Sequence, residues 1–364
     1  MVKVITIIGT RPEGIKTVML HKKLSQDNGF EALLCSTGQH RSLLYNVIGD
    51  FDVEVDIELN AMAENISMAD QLSYMMKHLQ LIVTEHKPNL IIVQGDTLSA
   101  YCGAMVAFYN KIKLAHIEAG LRTHDKNSPF PEEIHRKYID DVADYHFAHS
   151  DAALQTLLNE GHTTDHVHMV GNTGIDALLH INQELEKGNL SPNIELQNLV
   201  NTTKPKQKLG LLTMHRRETV GDKQKEIMNS IVTCADKCDM TIICPMHPNP
   251  MMDKIYKQYE EHPRIKFIKA LDYKSMIWLM SQADIIYSDS GGIQEEAPYL
   301  GKCVVVLRVL TERQEMIDVG NHVLFCKDSV LEDSKRIIGQ GQNLVTPYGD
   351  GNAVKKIVEV LILS

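Results

Sequence analysis

Cysteine is sparse: seven residues in 364, an odd number scattered from Cys35 to Cys326, which excludes a disulfide framework. They read as reduced thiols used as small hydrophobes, which points to the cytoplasm. Cys234 and Cys238 stand four apart on a predicted helix, yet no second Cys or His pair has zinc-ligand spacing, so both read as packing residues. Long hydrophobic runs are missing too, and nothing approaches the length that crosses a bilayer. Residues 1–8 form a short apolar strand without a basic leader or a small-residue cleavage site, so no secretory signal is expected. Positive charge is in deficit, 37 Lys and Arg against 47 Asp and Glu, for a net charge of -10. That balance argues against nucleic acid and anionic membrane as partners, since a polyanion is met by a basic face. Low-complexity tracts and solenoid-length repeats are likewise absent.

What is present is bulk for two cores, with 43% hydrophobic and 23% charged residues in a chain too long for one ordinary compact domain. Short β-rich runs alternate with amphipathic stretches. Residues 2–8, 33–37, 90–94, 114–117, 145–148 and 166–170 predict a first parallel sheet covered on both faces. From Gly188 to Lys208 the composition turns polar and the apolar rhythm fades, as in a connection. Runs at 209–213, 240–244, 265–268, 285–287, 304–307 and 322–325 then predict a second sheet. The expected fold is α/β, with two doubly wound Rossmann-like domains, 1–170 and 171–351, facing a central cleft. The apolar residues of 352–364 recur at helical spacing and suit a helix packing back on the first domain.

Ligands of open parallel sheets sit beyond the carboxyl ends of the strands, so residues just after each strand carry the functional signal. The first strand runs into Gly9-Thr10-Arg11-Pro12-Glu13-Gly14-Ile15-Lys16, a turn with two cations beside a helix start, where an anion could dock. It matches neither the Walker loop nor the dinucleotide fingerprint, and a solvated basic turn explains it equally well. In the second half, Ser288-Asp289-Ser290-Gly291-Gly292-Ile293-Gln294-Glu295-Glu296 offers a hydroxyl and unobstructed N–H groups, a seat for a diphosphate. Glu296 lies about 6 Å beyond Gly292 at helical rise, where its carboxylate could accept from both hydroxyls of a ribose. The alternative is a capped helix with an acidic first turn.

Asp96 and Glu118 fall at strand ends of the first domain, and Glu132 follows the Pro129-Phe130-Pro131 segment that opens a helix. Their placement lets the three carboxylates converge, although each singly is more often a cap or a surface charge. His215-Arg216-Arg217 adds a group able to exchange a proton near neutrality among phosphate-binding cations, or a solvated basic loop. His247 reads as a rigid loop residue, and Arg308 and Arg313 add cations near a strand end. A cationic site in an acidic protein points to a small anionic ligand.

Taken in order, Gly9 to Lys16, Gln39-His40-Arg41, Gly95-Asp96-Thr97, His116 to Thr123, Pro129 to Glu133, Gly171-Asn172-Thr173, Thr213 to Glu218, Ser288 to Pro298 and Thr311 to Arg313 resemble the bacterial non-hydrolysing UDP-N-acetylglucosamine 2-epimerases. The resemblance covers nearly the whole chain and implies a GT-B fold and a homodimer. It further implies conversion of UDP-N-acetylglucosamine to UDP-N-acetylmannosamine through 2-acetamidoglucal and enzyme-held UDP, serving polysaccharide synthesis without metal or nicotinamide. Carried over residue by residue, it gives Asp96, Glu118, Glu132 and His215 catalytic roles and assigns Arg11, Lys16, Arg136, Ser290, Gly291, Gly292, Glu296 and Arg313 to substrate binding. Two positions depart from the pattern. Ile66 stands where a glutamine helps form a second, activating substrate site, so activation by substrate is not carried over, and Gln314 stands where proline is usual. A GT-B glycosyltransferase, a hydrolysing 2-epimerase and a non-catalytic UDP-sugar sensor are the competing readings.

Overall fold

The structure is a computed structural model that describes residues 1–38, 41–59, 67–204, 207–214, 222–246, 256–308, 311, 313–338, 344 and 346–363, the side chains of 41–43, 222, 314 and 315 excepted. The chain divides into two units, Met1–Leu179 with Tyr348–Ser364, and His180–Pro347.

Unit 1 alternates strands and helices: β1 (Val2–Ile8), α1 (Arg11–Ser25), β2 (Phe30–Ser36), α2 (Arg41–Gly49), β3 (Ile57–Glu58), α3 (Met68–His86), β4 (Leu90–Gln94), α4 (Leu98–Tyr109), β5 (Lys113–Ala119), α5 (Glu132–Val142), β6 (Tyr145–Ala148), α6 (Asp151–Asn159) and β7 (Val167–Met169), followed by α7 (Thr173–Glu186), which begins in unit 1 and ends in unit 2. The strands pair in parallel in the order β3-β2-β1-β4-β5-β6-β7. Alternate residues of the central strands enter two different cores. Ile5, Ile7, Ile91 and Val93 pack with α3 and α4, whereas Val4, Leu90 and Ile92 pack with Leu20 and Leu24 of α1. Burial on both faces is why these strands read as unbroken apolar runs. Helix α4 lies close on the sheet because Gly103 has no Cβ; one built there would meet Ile7 Cδ1 and Val93 Cγ1 at 2.9 Å.

Unit 2 contains α8 (Ile194–Thr203), β8 (Lys208–Thr213), α9 (Asp222–Lys237), β9 (Met240–Pro245), β10 (Ile265–Ile268), α10 (Tyr273–Gln282), β11 (Ile285–Ser288), α11 (Gly291–Glu296), β12 (Val304–Val306), α12 (Gln314–Asp318), β13 (His322–Leu324) and α13 (Val330–Ile337). Its strands are parallel in the order β10-β9-β8-β11-β12-β13. The polar stretch read as a connection holds α8, started by the Asn193 side chain and seated by Leu196 and Val200. A last helix, α14 (Ala353–Leu363), belongs to unit 1: Val354, Ile357, Val358 and Leu361 join the core beside α1, and the Asp176 carboxylate accepts from the N–H groups of Ala353 and Val354 at 3.2 and 3.0 Å. Cys234, Cys244 and Cys303 lie in the unit 2 core. Burial pushes the Cys35, Cys102 and Cys244 thiols up to about 12, as befits unreactive packing groups. Among the described residues, no helix is long and apolar enough to cross a membrane.

In both sheets the strand order reverses beside the first strand, between β1 and β4 in unit 1 and between β8 and β11 in unit 2. At such a reversal the connections leave to opposite faces, and a crevice opens beyond the strand ends.

Candidate active site

At the reversal in unit 1, Gly9 follows β1 where no side chain fits: a Cβ would lie 2.1 Å from Ser99 Oγ and 2.6 Å from Thr37 Oγ1. Thr10 caps α1 in a capping box with Glu13. The fully buried Glu13 carboxylate accepts from Gly9 N at 3.1 Å and Thr10 N and Oγ1 at 2.7 Å, and from Thr97 Oγ1 at 2.6 Å across the reversal. Burial pushes its pKa up despite these donors. Thr97 also caps α4 through Ala100 N at 3.0 Å. Glu13 and Thr97 thus tie the start of α1, which carries Arg11 and Lys16, to the loop that carries Asp96. The sequence shows nothing of this long-range bond. Arg11 opens α1 and pairs with no described residue.

The carboxylates gather at the neighbouring strand ends. Asp96 follows Gly95, whose φ is +65°, and Glu118 itself has φ +67°, unusual for a residue with a side chain. It sits where the register of β5 against β6 shifts between Ile117 and Ala119, an irregularity that re-aims a side chain at the strand's end. Holding a non-glycine residue there costs on the order of 1 kcal/mol or more, which its contacts must offset. Lys16 Nζ donates to Glu118 Oε1 at 2.5 Å, and Gln94 Nε2 donates to Oε2. Arg136 grips Asp96 through Nε at 2.9 Å and through Nη2, with Nη1 3.4 Å from Glu133. Lys16 and Arg136, expected on substrate, therefore stand beside carboxylates in this structure.

Burial pushes the Asp96 pKa up; Arg136 opposes this, while the charges of Glu118 and Glu132 add to it. Glu132 begins α5 and pairs with no described residue. Glu133, next to it, is a structural group. Burial raises its pKa, but the N–H groups of Thr123 and His124, at 3.0 and 2.9 Å, outweigh that and bring it down.

In unit 2, β8 and β11 end side by side, with Thr213 Oγ1 and Ser288 Oγ 2.7 Å apart. Ser290 caps α11 weakly, its Oγ 3.5 Å from Ile293 N. The Arg313 guanidinium lies against Gly291, where an added Cβ would be 3.0 Å from Cζ. Two residues of the same segment to which the sequence assigned no role hold this arrangement. Glu295, 5% exposed, accepts from Arg313 Nε and Nη2 at 2.8 and 2.5 Å. Gln294 spans from Ser290 O, at 3.0 Å, to Thr311 Oγ1, at 2.6 Å, fastening the loop that bears Arg313. Tyr273 donates to Glu296 Oε1 at 3.1 Å and orients that carboxylate. Among the described residues, an added Cβ at Gly292 would meet only Ser290 Oγ within 4 Å, at 3.9 Å, so the space on that side is open. Arg308 is buried, with Nε donating to Asp289 O at 2.9 Å. His215, His247 and Ile66, like Gln39 and His40, lie outside the described residues. Among the described residues, no three His, Cys, Asp or Glu side chains come together as metal ligands would.

A sequence model of the family described as UDP-N-acetylglucosamine 2-epimerase matches residues 22–362. The UDP-N-acetylglucosamine 2-epimerase of Campylobacter jejuni is 36% identical over 372 residues, covering 99% of this chain and 97% of its own, and that of Neisseria meningitidis is 36% identical over 370, covering 99% of each. The chain belongs to the UDP-N-acetylglucosamine 2-epimerase family. Solved 2-epimerases share the architecture along their full length. The Neisseria meningitidis enzyme bound to UDP-GlcNAc superposes with a TM-score of 0.88 at 35% identity, covering 100% of both chains. The Methanocaldococcus jannaschii enzyme in complex with UDP-GlcNAc and UDP gives 0.83 at 31%, again over 100% of both. The fold class is thus the GT-B type of this family, built from two Rossmann-like units, and the chain is an enzyme of the isomerase class.

Proposed function

We propose that this 2-epimerase interconverts UDP-N-acetylglucosamine and UDP-N-acetylmannosamine without net hydrolysis. A base removes the C2 proton, the C–H electron pair forms the C1=C2 bond, and UDP departs with the C1–O pair. UDP then adds back to 2-acetamidoglucal at C1 while a proton reaches the opposite face of C2. The C2–H, on the acetamide-bearing sp³ carbon with no adjacent carbonyl to delocalise a carbanion, is a weak acid, so proton loss and UDP departure must assist each other, and charge on the diphosphate is what most needs stabilising. In unit 2, Ser290, Gly291, Gly292 and Arg313 receive the diphosphate and Glu296 accepts from the ribose. Asp96, Glu118 and Glu132 serve C2 as acid and base or support the oxocarbenium-like centre, and Lys16 and Arg136 hold the first two and meet the substrate.

One observation carries this reading: two carboxylates, Asp96 and Glu118, are gripped by separate cations at adjacent strand ends, and burial with mutual repulsion pushes Asp96 toward its protonated form. Two carboxylates held by separate cations can divide the work at C2, one taking the proton from one face and the other delivering a proton to the opposite face. The substrate follows from the relatives that were solved with UDP-GlcNAc. In D₂O, UDP-N-acetylglucosamine incubated with the enzyme should gain deuterium at C2 while the manno epimer forms and free UDP stays at trace level. Epimer formed with no deuterium at C2, or UDP accumulating in step with turnover, would refute the non-hydrolytic elimination.

A further inference from the structure

Behind the carboxylates lies a buried charged cluster that the reaction as written does not use. His116 of β5 and Asp140 of α5 are both 0% exposed. Asp140 Oδ1 is 2.6 Å from His116 Nδ1, and its Oδ2 accepts from Arg122 Nη1 at 2.8 Å and from Gly120 N at 3.2 Å. The other ring nitrogen, His116 Nε2, is 2.8 Å from Gly95 O. A carboxylate paired with arginine and a peptide carbonyl are both acceptors, so each ring nitrogen faces one. Arg122 also donates to Glu160, the residue just past α6, through Nε and Nη2 at 2.9 and 2.6 Å.

The anchored backbone flanks the reacting groups. Gly95 immediately precedes Asp96, and Gly120 stands two residues past Glu118. Both glycines have positive φ, +65° and +88°, and a Cβ on Gly120 would lie 2.3 Å from Ala153 O. The Gly95 backbone also lies close to Glu118, with Oε2 3.6 Å from where a Cβ would be. One buried carboxylate, acting directly at Gly120 and through the His116 ring at Gly95, thus reaches both irregular segments.

We infer that His116 and Asp140 are positioning residues, a two-point clamp that keeps Asp96 and Glu118 in register with each other for proton transfer at C2. The inference rests on the proposed reaction for its catalytic meaning. A burial role alone would affect folding; a clamp affects turnover in a protein that remains folded. Proton transfer tolerates little misplacement, and an error near 1 Å costs on the order of 100-fold in rate.

Two near-isosteric variants of the full-length enzyme separate these outcomes. His116→Gln puts an amide donor near the place of Nε2 and keeps the hold on Gly95, whereas His116→Asn keeps a donor only near Nδ1 and releases it. The clamp predicts that kcat falls on the order of 100-fold in His116→Asn and no more than about tenfold in His116→Gln, with KM and the Kd for UDP within a few-fold of the parent in both. Loss of activity that merely follows the folded fraction, or an unchanged kcat in His116→Asn, overturns it. The backbone gives a readout independent of turnover: in amide NMR, His116→Asn should shift the resonances of Gly95 and Asp96 well beyond those seen in His116→Gln. Resonances unmoved in His116→Asn also overturn the clamp. The expected shifts in an enzyme whose parent fails to epimerise contradict only the proposed reaction.

Discussion

Gly291 fixes where Arg313 can stand, because the guanidinium occupies the space a side chain at that position would need. Gly291→Ala should push the guanidinium off its seat and weaken UDP binding about tenfold, near 1.4 kcal/mol, by calorimetric titration. Affinity equal to that of the parent would contradict the placement of Arg313 on the diphosphate. At this scale the sequence was legible in part. Ser290, the two glycines and Glu296 stood out because a hydroxyl, small residues and a carboxylate after a strand have few bland explanations. Glu295 and Gln294 did not, since an acidic or amide residue in a short helix reads as solvated surface until Arg313 and Thr311, both distant in sequence, are seen against them. Lys16 and Arg136 could be identified as cations, but not as partners of Glu118 and Asp96.

Between elements, the contact that joins β5 to α5 has its own pH signature. Burial raises the Asp140 pKa, but His116 and Arg122 outweigh it and hold the carboxyl at about 2, against an ordinary 3.8. A carboxylate depressed on folding contributes stability that is complete above its unfolded value and lost as pH falls through its folded value. That contribution, about 2 kcal/mol by linkage, should disappear between roughly pH 4 and pH 2. The stability gap between the parent and Asp140→Asn in urea unfolding should narrow over that window, and a gap that does not change with pH would contradict the ionised pair. Strands were the most legible elements, because burial on both faces leaves an apolar run that charge does not interrupt. Two escaped or were misread. Ile57–Glu58 is too short to show any period, and α8 offered only Leu196 and Val200 within a polar stretch that resembled a linker. The slip in β5 at Glu118 was not legible either, since nothing in the local composition announces a side chain at φ +67°.

Over the whole chain, the order of short motifs identified the family where no single motif could, and relatives spanning both units bear that out. The sequence also placed most motifs correctly at strand ends. What it lacked was the side-chain wiring behind them: Glu13 to Thr97 and His116 to Asp140 join residues far apart in the chain, and periodicity carries no information about such pairs. The account's central claim is that unit 1 manages one proton while unit 2 holds the nucleotide. Its most direct test is Asp96→Asn, assayed for C2 deuterium exchange and for UDP affinity on the same preparation. Exchange should fall by about 10²- to 10⁴-fold, the range for a lost acid–base group, with the Kd for UDP within a few-fold of the parent. Exchange at the parental rate would remove Asp96 from the chemistry and contradict the account.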